Sequence, residues 1–215
     1  RNHHRWSEVG YSELWIYDIP SGKKHKITHK SRYQSPAISP SGNRIIAVEN
    51  TIDNKHNLVL IETNTGKVIK KYQILDNDII RRPDWSPDGN KIVFAQHRKS
   101  QTGLAILDLE NREIYKILKS HVENLGEPTF LNHNSILFQS SYSGVDNIYK
   151  LDLKNDQIMQ ITSAHYGAFH PFYDTKNERL LYSNYNIQGY EVASLPVNKM
   201  AGIKKSRIIP RPTNY

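Results

Sequence analysis

The chain has 215 residues, 37% of them hydrophobic, and a formal net charge of +8. It contains no cysteine, which excludes disulfide bonds, cysteine–zinc sites and thiol nucleophiles. No apolar run is long enough for a membrane-spanning helix, and the sequence begins at Arg1 without a visible signal peptide.

The N-terminal part of the chain divides into two stretches. Residues 1–10 have no periodic pattern, and we expect an irregular segment there. Residues 11–28 contain two short apolar runs, the first being Leu14-Trp-Ile-Tyr-Asp18, separated by polar turn residues. This pattern is typical of two short strands joined by a tight turn.

From residue 35 onward, one phrase occurs four times. Each copy has a proline, a large side chain two residues later, a turn, and then a β-branched or aromatic run. The prolines are Pro36, Pro83, Pro128 and Pro171, so the copies are 47, 45 and 43 residues apart. A near-constant period of this size indicates a repeated supersecondary unit, because a single small sheet must stack on neighbours to bury its faces.

Each part of this phrase predicts a structural element. Proline cannot donate to a sheet ladder, so it opens a strand. Ser86-Pro-Asp-Gly89 predicts a tight reversing turn, and Ile92-Val-Phe94 predicts the returning strand. The large side chains should point into one face of the sheet: Ile38, Trp85, Phe130 and Tyr173. We expect the last three to pack between neighbouring sheets.

A second phrase alternates with the first. It begins at Leu14, Leu58, Leu104, Ile148 and, in a weaker fifth copy, Tyr190. In the first four copies the apolar run ends in a carboxylate: Asp18, Glu62, Asp108 and Asp152. Because each precedes a turn, we expect it to accept backbone N–H groups there; the alternative is a ring of carboxylates that binds a cation or takes part in acid chemistry. A turn and a further strand follow, which gives four strands per period, the blade of a β-propeller.

The two phrases together resemble the WD-like repeat of TolB-type propellers. The copy from Arg82 to Phe94 is nearly ideal, and Asn147-Ile-Tyr-Lys-Leu-Asp-Leu153 shows the second phrase, whereas Leu131–Asn134 and Asp174–Asn177 replace Ser-Pro-Asp-Gly in the later copies. The resemblance covers residues 11–196 and implies an all-β fold. That fold is a β-propeller of four-stranded antiparallel blades, with about 4–5 blades covered, from a six-bladed propeller of the kind embedded in longer bacterial cell-envelope proteins.

The repeat count predicts an incomplete propeller. Residues 11–28 supply only two outer strands, and an opening half-blade would leave hydrogen-bonding groups unpaired. We therefore expect the remaining blades to come from the parent chain, upstream of Arg1. Residues 197–215 are expected to form a C-terminal strand or tail, in which Ile203–Ile209 completes the last blade.

Other classes of site find no support in the sequence. Basic residues come in dispersed pairs, which argues against a specific nucleic-acid surface. The ten histidines lack the spacing of a metal site, and no nucleophile elbow, P-loop or His-Glu-x-x-His motif occurs. We therefore expect no metal, no cofactor and no catalytic residue in this segment, and we lean towards a protein that is not an enzyme.

The resemblance also implies a binding face. In such propellers the loops that lead into each innermost strand, and those between the second and third strands, rim the central channel. We call both sets the rim loops: 31–35, 76–82, 122–127, 165–170, 50–56, 96–102, 140–146 and 184–189. Their candidate binding residues are of types favoured at protein interfaces: Tyr33, Arg81, Arg82, Glu127, Tyr142, Tyr166, Phe169, His170 and Tyr185. Arg82, Glu127 and His170 each precede a repeated proline, where we expect an extended backbone.

These observations predict a non-catalytic scaffold that binds a protein or peptide partner at the channel face, in the periplasm or cell envelope. One alternative is the accessory propeller of a larger hydrolase, such as a prolyl-oligopeptidase-like serine peptidase. Another is a carbohydrate-processing propeller. The fold does not decide between them, because propellers carry unrelated activities.

Overall fold

The computed structural model describes residues 2–3, 6–74, 78–121 and 123–209. Within these ranges it has twenty β-strands and two short 3-10 helices, Val197–Lys199 and Lys205–Arg207. The chain forms two compact units, residues 1–83 and 84–215. Residues 75–77, 122 and 210–215 lie outside the described residues; they include parts of two predicted rim loops and the end of the predicted C-terminal tail.

The first unit contains three antiparallel sheets. Two of them have two strands each, β1 (Asn2–His3) with β2 (Trp6–Gly10) and β3 (Trp15–Asp18) with β4 (Lys23–Lys26). The third is a four-stranded blade whose strands neighbour one another in chain order: β5 (Tyr33–Ile38), β6 (Arg44–Asn50), β7 (His56–Glu62) and β8 (Val68–Gln73).

The expectation of an irregular segment over residues 1–10 is wrong. Strands β1 and β2 pair antiparallel there, with His3 opposite Trp6. Both strands are short and β1 has only two residues, so no alternating pattern marks them in the sequence. The two-stranded sheet predicted over residues 11–28 is present as β3 and β4.

The next sheet has the strand order β12-β11-β10-β9, and the boundary between the units falls within β9. Its strands are β9 (Ile79–Trp85), β10 (Lys91–Arg98), β11 (Gln101–Asp108) and β12 (Glu113–Ser120). The second unit continues with β13 (Leu125–Asn132), β14 (Ser135–Ser140), β15 (Asn147–Asp152) and β16 (Ile158–Gln160). It ends with a three-stranded sheet and one short strand: β17 (Ala168–Asp174), β18 (Arg179–Asn186), β19 (Gly189–Pro196) and β20 (Ile203–Lys204).

The C-terminal segment pairs with a different blade from the one expected. β20 does not complete the sheet β17-β18-β19; it adds a fifth strand to β13-β14-β15-β16, with Met159 opposite Lys204 and Gln160 opposite Ile203. Ile208 packs against the core of that blade, and Lys205 forms an ion pair with Glu123 beside it. These two anchors explain why the segment turns back, and the expectation for Ile203–Ile209 is wrong.

The core of the second unit lies between its sheets. Phe130 of β13 packs against Val93 and Ile106 of the preceding blade, and Tyr173 of β17 packs against a cluster that contains Leu137 of β14. Trp85 is buried, with 5% of its surface exposed. This stacking of antiparallel sheets, two of which have four strands, confirms the predicted fold class, although Ile38, at the equivalent position in the first copy, is 57% exposed.

Candidate functional site

Backbone hydrogen bonds connect three of the predicted rim loops, two of the last blade and one of the preceding blade. The Ala168 N–H donates to the Asp146 carbonyl at 2.8 Å, and the Tyr185 N–H donates to the Gly167 carbonyl at 2.9 Å. The loop at 165–170 is therefore bonded to the 140–146 loop of the preceding blade and to the hairpin of its own blade. The candidate residues on these loops belong to one continuous region of the second unit.

The residue before each repeated proline has a left-handed backbone. The φ angles are +47°, +50°, +48° and +52° at Ser35, Arg82, Glu127 and His170. The expectation of an extended backbone at these positions is wrong. In three copies the strand register shifts across the X-Pro pair, from Gln34 to Ala37, from Gly126 to Thr129 and from Phe169 to Phe172.

A β-bulge accounts for this conformation. An extra residue in one strand is left out of the ladder, and the bulged strand bends, which re-aims the side chain. Proline fits there because it has no N–H to lose from the ladder. Arg82 and His170 are exposed, and Glu127 is half-buried. Ser35, which ends the rim loop 31–35 but is not among the predicted binding residues, adopts the same conformation; its place before Pro36 is the signal that could have identified it.

Three aromatic side chains of the last blade form a cluster, which we call the aromatic cluster: Phe169, Tyr185 and Tyr190. The ring centroids of Tyr185 and Tyr190 are 4.7 Å apart, and those of Phe169 and Tyr190 are 5.9 Å apart in an edge-to-face arrangement. His170 lies beside it, with its ring centroid 6.3 Å from that of Phe169. Two of the three members were predicted from sequence. Tyr190 was missed, although the short hairpin loop at Ile187 and Gln188 places it directly opposite Tyr185.

The aromatic cluster lies on the open face of its sheet. Tyr190 is 68% exposed and Tyr185 is 41% exposed. Val192, on the same face because side chains alternate along a strand, is 82% exposed. The opposite face carries Leu180, which packs into the core shared with the preceding blade. One face of the sheet therefore packs against the preceding blade, and the other presents apolar surface of the kind on which propeller blades stack.

Gly167 allows the Phe169 ring to take its place in the cluster. The glycine has φ +147°, and a Cβ atom there would come within 2.5 Å of the Phe169 ring. Any larger residue would displace the ring, and the positive φ would strain its own backbone. On the same loop, Tyr166 is exposed, and its ring packs edge-to-face against His165 at 4.7 Å.

The other predicted residues are placed differently. Tyr33 is buried in the core of the first unit with Leu14 and Ile45, and this burial raises the pKa of its hydroxyl, so its ring does not form part of an open surface. The ring of Tyr142 lies under the ammonium of Lys205, 4.1 Å from the centroid, and is half-buried by the C-terminal segment. Arg81 is exposed on β9.

The strand-end carboxylates have the structural role predicted from sequence at three of four positions. Asp18 accepts the Ser21 N–H, Asp152 accepts the Lys154 N–H, and Asp108 accepts two N–H groups of its turn. The Asn111 N–H is the main reason that the pKa of Asp108 is lowered. Glu62 instead accepts a hydrogen bond from the Thr65 hydroxyl. Among the described residues, no three histidine, aspartate or glutamate side chains are grouped to hold a metal ion.

The geometry of the sheets can be compared with known families. A family model described as the TolB beta propeller domain matches residues 22–207 of the chain. The chain belongs to the TolB β-propeller family. The match includes the aromatic cluster and the C-terminal strand β20, so both features lie within the TolB propeller domain.

Solved TolB structures and other propellers share this architecture. TolB from Acinetobacter baumannii matches with a TM-score of 0.70 and 19% identity, over 89% of this chain and 47% of that one. Oligogalacturonate lyase from Vibrio parahaemolyticus matches with a TM-score of 0.67 and 12% identity, over 92% of this chain and 58% of that one. At these identities the likeness of this TolB propeller to each protein shows the fold alone.

One curated protein is similar in sequence. Dipeptidyl-peptidase 5 of Porphyromonas gingivalis is 23% identical over 158 residues, which make up 71% of this chain and 23% of that protein. The TolB propeller described here therefore spans about half the length of the Acinetobacter TolB chain and about a quarter of the peptidase.

Proposed function

We propose that this TolB propeller is a non-catalytic scaffold that binds a protein or peptide partner through its rim loops. The observation that carries the proposal is the exposed aromatic cluster of Phe169, Tyr185 and Tyr190. Aromatic side chains supply large rigid contact area at low entropic cost, and they dominate the energetics of many interfaces. An exposed apolar patch is typical of an interaction site, and the alternative occupant of this sheet face is a further blade of the same propeller.

One polar residue lies beside the cluster, where it fits the rim of such an interface, and two others occupy equivalent positions in other blades. His170 lies next to Phe169 in the structure, and Glu127 and Arg82 occupy the same bulge position in earlier copies. Three different charge types at equivalent positions suit a partner with mixed polar groups better than they suit one shared catalytic step. The role of Arg82 and Glu127 in binding remains a prediction.

We place the protein in the periplasm or cell envelope, as the TolB resemblance implies. The helices among the described residues are all short, and none has the length and hydropathy that a membrane span requires. The location can be checked by fractionating cells that express the parent gene and probing each fraction for the propeller.

A second candidate function is the accessory propeller of a larger serine peptidase. The observation that favours it is the sequence similarity to Dipeptidyl-peptidase 5. In that case the rim loops would screen access to a catalytic domain rather than hold a stable partner. The similarity in fold to oligogalacturonate lyase keeps a carbohydrate-processing role as a third candidate. Assays of the parent protein with dipeptide and oligogalacturonate substrates test these two alternatives. Turnover of either substrate would favour an enzymatic role over partner binding.

The binding function can be tested by capture of envelope proteins on immobilised propeller, followed by quantitative mass spectrometry. The test variant is Tyr190→Ala. The matched control is Tyr115→Ala, because Tyr115 is another exposed strand tyrosine, 41% exposed like Tyr185, on β12. We expect a partner that is retained by the wild type and the control and lost from the variant. Equal retention by all three proteins would remove the aromatic cluster from the binding site.

A further inference from the structure

A cleft in the first unit combines basic side chains with a buried acceptor. It has a volume of about 440 Å³ and lies between residues 27–33 and residues 49–52. A second cleft of about 250 Å³ shares Arg32 and Asn50 with it. The first cleft lies in a different unit from the aromatic cluster.

The charge of the larger cleft is positive. Its lining includes His29, Lys30 and Arg32, and Glu49 is its one acidic residue. The Glu49 carboxylate is already engaged: Lys71 Nζ lies 2.8 and 3.0 Å from its two oxygens, and Asn57 Nδ2 donates to it at 2.9 Å. Lys71 neutralises Glu49, and a Glu13 carboxylate oxygen lies 3.7 Å from His29 Nδ1. The positive charge of the cleft therefore comes from Lys30 and Arg32.

Arg32 is held in a fixed position at the cleft. Its Nε donates to the Asn50 carbonyl at 2.8 Å, and the Asn50 N–H donates back to the Arg32 carbonyl at 3.1 Å. This leaves the two terminal nitrogens of the guanidinium for another acceptor, since no carboxylate among the described residues forms an ion pair with Arg32. A guanidinium held in this way is pre-organised for a planar carboxylate, which it can bind with two parallel hydrogen bonds.

The wall of the cleft is also fixed by a close backbone approach. Gly66 has φ +70°, and a Cβ atom there would come within 1.7 Å of the Ile27 carbonyl oxygen. Only glycine therefore allows the β7–β8 turn to lie against residue 27. The segment that carries His29, Lys30 and Arg32 starts from this contact, so its position does not depend on a ligand.

Asn50 supplies the second recognition element. Its Oδ1 is buried and has no hydrogen-bond partner within the described structure, although Asn50 lines both clefts. A buried acceptor without a donor is unfavourable, so rotation of the Asn50 side chain towards a donor brought by a ligand would be favoured. The terminal residue of a peptide offers a carboxylate and, one bond from its Cα, an amide N–H. Ile27 and Ile52 add apolar surface for the side chain of that residue.

We propose that this cleft binds the C-terminal carboxylate of a peptide. Arg32 receives the carboxylate, Lys30 supplies additional positive charge, and the Asn50 side-chain oxygen accepts the terminal amide N–H. This site goes beyond the aromatic cluster and does not require it. A carboxylate on an acidic sugar shares the charge but lacks the adjacent amide, which makes it the competing ligand in the test.

The test is a titration of the whole chain, labelled with ¹⁵N, with N-acetyl-trialanine. We expect amide shifts confined to residues 27–33 and 49–52, and affinity about tenfold or more weaker for the same peptide with a C-terminal amide. Arg32→Gln should weaken binding of the free acid by a similar factor. Arg207→Gln, at an exposed arginine of the second unit, should leave the affinity within about twofold.

Three results would overturn the proposal. They are equal binding of the acid and the amide, shifts that map outside the cleft, and tighter binding of galacturonate than of the peptide. If Arg32→Gln does not fold, the acid-to-amide comparison and the shift map on the wild type still decide. Tyr190→Ala should bind the peptide as the wild type does, so failure at this cleft and failure at the aromatic cluster can be told apart.

Discussion

The carboxylate of Asp84 accepts a hydrogen bond of 2.7 Å from the hydroxyl of Thr129, 45 residues further along the chain. Both residues directly follow a repeated proline, so the same position in two successive copies forms a direct bond between neighbouring blades. The Phe130 N–H donates to the same oxygen at 3.3 Å. The repeat that is visible in the sequence therefore brings equivalent residues of two neighbouring blades into direct contact.

Asp84 predicts a dependence of stability on pH. Burial is the main cause that raises its pKa, while hydrogen bonds from Thr129, Trp85 and Phe130 act in the opposite direction. A carboxyl whose pKa is higher in the folded state contributes most stability at pH values below its unfolded pKa and loses that contribution as pH rises through the folded pKa. Asp84→Asn cannot ionise, so its free energy of unfolding, relative to the wild type, should increase as pH rises from about 3.5 to 7. Urea unfolding monitored by tryptophan fluorescence measures this difference, and a decrease would contradict the assignment.

Trp85 should be a major source of stability. It is 5% exposed, and Trp85→Ala should lower the free energy of unfolding by about 3–5 kcal/mol. The loss combines the transfer free energy of the removed ring with the cost of the cavity that remains. The repeat offers a matched control in Ile38, the equivalent residue of the first copy, which is 57% exposed. Ile38→Ala should cost less than about 1 kcal/mol. Similar costs for the two variants in chemical denaturation would show that Trp85 is not packed as described.

The left-handed backbone at the bulge predicts that glycine is more stable than valine there, the reverse of the order in an ordinary strand. At His170, where φ is +52° and the side chain is exposed, glycine should be tolerated or should stabilise slightly, because it adopts this conformation without strain. Valine should cost about 1–3 kcal/mol there. Glu113, an exposed residue of β12, provides the control, since valine should be the better of the two residues in an ordinary strand. The same order at both positions, measured by thermal unfolding, would contradict the bulge.

Lys205 should hold the C-terminal segment on its blade. Its ammonium pairs with Glu123, whose side chain is nearly buried, and lies over the ring of Tyr142. Lys205→Met removes the partner of a poorly solvated carboxylate, so β20 should detach more often. Limited trypsin digestion should then cut faster after Lys199 and Arg207. Lys176→Met, in an exposed turn, should digest like the wild type; an unchanged rate for Lys205→Met would show that the strand is held by other contacts.

The features that recur in every copy could be predicted from the sequence, whereas the bulge conformation and the pairing of β20 could not. Alternating apolar runs and turn residues placed the strands of every full blade, and the proline period placed Phe130 and Tyr173 between sheets. The left-handed residue at His170 was missed because proline disfavours the helical region before it, and the bulge that overrides this preference depends on strand register. The pairing of β20 was missed because Lys205 meets Glu123 only after the chain has folded.

The residues of the candidate site that lie on rim loops could be predicted, because the repeat gives the positions of those loops. Phe169, His170 and Tyr185 were identified because they fall on rim loops, and Tyr190 could have been added from the length of the hairpin. The burial of Tyr33 was not visible, since its place beside Leu14 depends on how the two-stranded sheet packs against the first full blade. The basic cleft at Arg32 was not visible either, because it needs the Asn50 carbonyl from a separate loop.

The most direct test of the proposed function is site-specific photo-crosslinking in living cells. A benzophenone amino acid replaces Tyr190 in the parent protein, and Tyr115 in the control, and adducts are detected after irradiation. We predict an adduct with one envelope protein from position 190 and none from position 115. The absence of an adduct at position 190, or the same adducts from both positions, would contradict a partner-binding role for the aromatic cluster.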